Sequence, residues 1–93
     1  MGLLTDPAHP GEILKHEFLE PLGVSAIALA RAIGVPRTRI ERLVKEQTAV
    51  TPDTALRLSK ALGTTPEFWL NMQTNHDLAH ADVDLSAIAP LVA

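Results

Sequence analysis

Five basic side chains, Arg31, Arg37, Arg39, Arg42 and Lys45, fall close together in the chain, with Glu41 as the one acid between them. That stretch carries +4 in a protein whose net charge is −3, so the remaining residues carry −7. Guanidinium and ammonium groups at this density can donate to the O6 and N7 edge of guanine or neutralise phosphates. A charge run is ordinarily a solvated helix face. Its concentration in one short segment of an acidic protein favours a nucleic-acid contact instead. The other reactive residue types lead nowhere comparable. His9 and His16 have no acid–base partner that spacing identifies. His76 and His80 stand four apart with Asp77 between them, which suits two metal ligands on a helix. Two ligands do not make a site, and the glutamate of a metalloprotease motif is missing. The chain has no cysteine, no glycine-rich phosphate loop and no activated nucleophile. The expectation is no catalytic residue, no metal, no cofactor and no enzyme.

Positioning the basic segment requires elements, and five helices can be read. The first starts at Pro10 and buries Ile13, Leu14, Phe18 and Leu22, with Pro21 and Gly23 closing it. Ser25 caps the second, whose inner face is Ala26, Leu29, Ala30 and Ile33, and Gly34 stops it. The third opens at Pro36 and runs to about Glu46, with Ile40, Leu43 and Val44 inward. Thr51 and Pro52 start the fourth, which packs through Ala55, Leu58, Ser59 and Leu62. Thr65 and Pro66 repeat the device for the fifth, where Phe68, Trp69 and Met72 read as core. Beyond Asp77 the pattern weakens. Residues 82–93 read as an acidic, then apolar tail, either docked or frayed.

A length of 93 residues with 46% hydrophobic content, chiefly leucine and alanine, sets an all-α class and one small core. The expected organisation is a single domain over 1–93, with a helix-turn-helix at 25–46 and a tail at 82–93. No apolar run reaches the roughly 20 residues of a membrane span, and Met1 to Pro10 lacks the features of a signal peptide. With no cysteine, a reducing cytoplasm is the expected setting.

Ala26 to Leu43 forms two helices with almost no connection. A small residue where such helices cross, a glycine to turn the chain, and apolar residues packed back on the first helix are what that geometry needs. Ala30, Gly34, and the set Val35, Ile40 and Leu43 supply them. The segment resembles the helix-turn-helix of the lambda-repressor-like family. On the outer face of the third helix, Arg37, Thr38 and Arg42 are the base-reading candidates, since the N-terminal residues of a recognition helix reach base edges. Arg39 and Lys45 are the phosphate candidates.

A closer resemblance covers His9 to about Leu78. His9-Pro10-Gly11-Glu12-Ile13-Leu14, Phe18-Leu19-Glu20-Pro21-Leu22-Gly23, Thr54-Ala55-Leu56-Arg57-Leu58 and Pro66-Glu67-Phe68-Trp69-Leu70-Asn71 together are similar to HigA-type antitoxins. The resemblance implies a homodimeric autorepressor, at its operator on the nucleoid of a bacterial cytoplasm. It also implies neutralisation of a HigB-like, mRNA-cleaving toxin. The chain departs from the pattern at Glu46-Gln47-Thr48, which lacks a glycine and basic residues, at Ile27, where relatives carry a glutamine, and at His76, where an aromatic is usual. A protein-interaction module without DNA binding, and a stand-alone phage-type repressor, remain open at this point.

Overall fold

Four of the helices begin where a side chain serves the unpaired amides of a first turn, and the remaining one begins after a proline cap. The computed structural model describes residues 6–92 and contains five helices and no strand among them. Residues 1–5 and 93, parts of the expected 1–93 domain and of its start and tail, lie outside the described residues.

Helix α1 spans 10–22. His9 caps it, its Nδ1 accepting from the Gly11 amide at 2.9 Å, with Pro10 in the first turn. The winding then changes: Pro10–Ile13 is α-helical, Leu14–Leu19 is π-helical and Glu20–Leu22 is α-helical again. The Glu20 amide accordingly reaches back to the Lys15 carbonyl. This corrects the expectation that Pro21 closes the helix. The wider winding just ahead of Pro21 accommodates its ring and its missing donor, and the left-handed Gly23 makes the stop. Leu22, expected inside, is exposed.

Helix α2, Ala26–Ile33, starts on Ser25, whose hydroxyl accepts from the Ala28 amide at 3.0 Å. Gly34 ends it at φ 72°, ψ 37°, and the Val35 amide closes on the Ala30 carbonyl at 3.0 Å. This left-handed turn is open to glycine without steric cost. Helix α3, Arg37–Val44, is shorter than expected at both ends. Pro36 is its cap, not its first residue, and the Glu46 and Gln47 amides fold back on the Leu43 and Arg42 carbonyls. Glu46 takes φ 61° to allow this. Helices α4, Pro52–Leu62, and α5, Pro66–His80, both start as expected: Thr51 and Thr65 oxygens accept from the amides three residues on.

The core gathers Leu14 from α1, Leu29 and Ala30 from α2, Ile40 and Leu43 from α3, Ala55 and Leu58 from α4, and Trp69 from α5. Trp69 is completely buried, and its indole N–H donates to Thr64 Oγ1 at 2.7 Å, which satisfies its polar end. Phe18 and Phe68 pack on it with centroids 5.3 and 5.0 Å away, Phe68 lying at the rim. Ser59 is only half-buried, its hydroxyl donating to the Leu56 carbonyl. After Ala81 the tail leaves the core: Val83, Leu85, Ile88, Leu91 and Val92 are all exposed.

Candidate nucleic-acid interface

Helix α3 is held on three sides. Against α2, Ala30 is 1% exposed, and Val35, Ile40 and Leu43 are buried with it. This is the set that the turn and packing of a helix-turn-helix require. Against α1, contact is backbone to backbone. A Cβ on Gly11 would stand 1.8 Å from the Leu43 carbonyl oxygen, so only glycine lets α1 approach the end of α3 this closely.

The third side is polar. From α4, Arg57 Nη1 donates to the Ile33 carbonyl at 2.7 Å, at the end of α2. Its Nε donates to Asp53 Oδ2 at 3.0 Å, and the same oxygen accepts from Arg39 Nη1 at 2.6 Å. The Arg39 hydrogen bond, aided by Arg57, holds the Asp53 carboxyl below the usual carboxylate range. The loop after α3 is tied as well. The Val50 amide donates to the buried Gln73 at 2.8 Å, and Gln73 Nε2 donates to Asp77 at 2.9 Å.

With its inner face fixed, α3 presents Arg37, Thr38, Arg39, Arg42 and Lys45 to solvent, all exposed. Thr38, Arg39 and Arg42 come together with Thr48, Asp53 and Arg57 around a concave surface of about 500 Å³. Arg37 and Lys45 lie outside that lining, toward the two ends of α3. Ile27 is exposed in the first turn of α2.

The histidines sit elsewhere, where the start of α1 meets the last turns of α5. His9 and His76 rings meet edge to face at 4.9 Å, and His76 stacks on His80 at 4.2 Å. His80 Nδ1 lies 2.8 Å from the His76 carbonyl. Burial, with the neighbouring His76, lowers the His9 pKa, against the pull of Glu46 and Asp77.

Asp53, Arg57, Gly11 and Gln73 were not among the residues that spacing singles out. Asp53 and Arg57 stand four apart on α4, a visible ion-pair spacing, but their links to Arg39 and Ile33 are tertiary. Gly11 lies in a motif quoted above without a role; the close approach supplies one.

A tight helical pair whose second helix is packed inward by aliphatics and faces solvent with arginines defines a helix-turn-helix protein of the DNA-binding class. Comparison with known proteins agrees. The Helix-turn-helix family model matches residues 16–69. Virulence-associated protein I of Dichelobacter nodosus is 51% identical over 80 residues, covering 86% of this chain and 74% of that protein. Antitoxin HigA-1 of Vibrio cholerae is 49% identical over 72 residues, covering 77% and 68%. The solved structure of antitoxin GraA in complex with its operator superposes with a TM-score of 0.85 at 48% identity, covering 94% of this chain and 93% of that one. The chain belongs to the helix-turn-helix family and, within it, to the HigA-type antitoxins.

Proposed function

We propose that this protein is a sequence-specific autorepressor that binds the operator of its own gene as a homodimer and neutralises a HigB-like, mRNA-cleaving toxin. The observation that carries the DNA half is the α3 face: Thr38, Arg39 and Arg42 converge on one concave surface along a helix held from three sides. In this reading Arg37, Thr38 and Arg42 contact base edges, with arginine suited to guanine and threonine to a base edge or a thymine methyl. Arg39 and Lys45 contact phosphates and set register. One α3 spans too few base pairs to single out one site in a genome. Two copies facing half-sites roughly 34 Å apart supply the rest.

The toxin half rests on kinship with proteins named antitoxins. The chain acts as one domain over 1–93, in the bacterial cytoplasm and at the nucleoid. No helix among the described residues is long and apolar enough to cross a membrane.

The test is a binding titration against the DNA upstream of the gene and against a scrambled duplex of equal length. The expected result is a preference of about a thousandfold or more for the upstream DNA, with two chains per duplex. Equal affinity for the two duplexes contradicts the reading.

A further inference from the structure

We propose that Asp53 is a specificity-determining residue of the DNA interface: it restrains Arg39 so that this arginine serves phosphate only in the operator register. The proposal rests on the DNA-binding reading above and adds to it a residue that contacts neither base nor phosphate.

An acidic side chain is out of place on a surface meant for a polyanion. Asp53 nevertheless lines the same concavity as Thr38, Arg39 and Arg42, and its side chain is about half exposed, so no core requirement explains it. Its Oδ2 bridges two arginines of different origin, Arg39 on α3 at 2.6 Å and Arg57 on α4 at 3.0 Å. Arg57 is itself anchored, through Nη1, on the Ile33 carbonyl beside the helix-turn-helix turn. Arg39 is therefore tied through Asp53 and Arg57 to the frame of the motif.

A guanidinium has five donors, and Asp53 engages Arg39 through Nη1. The others remain for a phosphate, in a direction set by the carboxylate. A phosphate approaching from the Asp53 side meets the carboxylate's charge first and is repelled. Docking in the operator register can satisfy that direction; random docking, which samples many registers, mostly does not. The ion pair thus costs non-specific binding more than specific binding, and specificity is the difference between them.

Asp53→Asn separates this from a structural role. The side chain keeps its size at an exposed position, and the charge is lost. Titrations of wild type, Asp53→Asn and Asp53→Asn/Arg39→Ala use the upstream and scrambled duplexes between 50 and 200 mM salt. Each freed cation that reaches a phosphate steepens the salt dependence by about 0.9, equivalent to about threefold in affinity over that range. The expected result is that Asp53→Asn binds scrambled DNA at least about threefold tighter at low salt, with that steeper slope. Affinity for the upstream duplex rises less or falls, so the preference narrows. Adding Arg39→Ala removes the gain on scrambled DNA.

An unchanged ratio of the two affinities overturns the proposal, whether both rise, both fall or neither moves. A gain on scrambled DNA that survives Arg39→Ala also overturns it, since the effect then does not run through Arg39. Wild type that does not prefer the upstream duplex removes the DNA-binding reading and this inference together. Wild-type preference with an unchanged ratio in the variant removes the inference alone.

Discussion

Gly11 shows how one missing carbon sets the geometry of the interface. Its backbone runs against the Leu43 carbonyl so closely that a methyl group would overlap the oxygen. Gly11→Ala must push α1 away from the end of α3 or shift α3 itself. Overpacking of this kind costs about 1–3 kcal/mol, so chemical denaturation is expected to show a loss in that range. A variant as stable as wild type would mean that α1 does not approach α3 as described. Glu46 presents the opposite case. It adopts φ 61° with a side chain in place, a conformation that glycine takes more readily. The turn at Glu46-Gln47-Thr48 therefore forms without a glycine, while the chain there offers no basic side chain to a phosphate.

At the scale of the element, α1 depends on an imidazole as its cap. His9 Nδ1 can accept from the Gly11 amide only while that nitrogen is unprotonated. Burial and His76 hold the His9 pKa below its ordinary 6.5. The unfolded chain therefore takes up a proton that the folded chain resists. The stability that His9 contributes is fully present above pH 6.5 and is lost as pH falls from there through the lowered folded value. His9→Asn, which keeps a capping oxygen without titrating, is expected to weaken this acid sensitivity. Thermal melting between pH 8 and pH 5 checks it: parallel curves for the two proteins would show that the cap is not what responds.

The elements also mark what sequence could reveal. The caps Ser25, Thr51 and Thr65 and the stop at Gly34 were legible because they act on neighbours within a few residues. The inward set Ala30, Val35, Ile40 and Leu43 was legible from what two tightly joined helices need where they cross and pack. Pro21 was misread because a proline announces only that an α-helical bond is missing; the π winding over Leu14–Leu19 that absorbs it depends on the whole helix. The early end of α3 follows from bonds made by Glu46 and Gln47, a turn that no glycine advertises. The chain Ile33–Arg57–Asp53–Arg39 was illegible because it joins three helices. The basic residues of the candidate site could be picked out by type, but not the acid set among them.

Taken whole, the protein sets a basic face on an acidic body, and the net charge of −3 limits indiscriminate attraction to DNA. Its apolar tail leaves the core, with Val83, Leu85 and Ile88 exposed, so the fold over 10–80 positions α3 without it. Helix α3 is held by α2, by the backbone of α1 and by the polar bridge from α4, and its arginine face is left to solvent. The most direct measurement is the affinity of Arg42→Ala for the upstream duplex and for a scrambled one. If Arg42 reads a base, the variant loses about 1–3 kcal/mol on the upstream DNA and little on the scrambled duplex. Equal losses on both would make Arg42 a phosphate contact, and no loss on either would contradict the placing of Arg42 at a base edge.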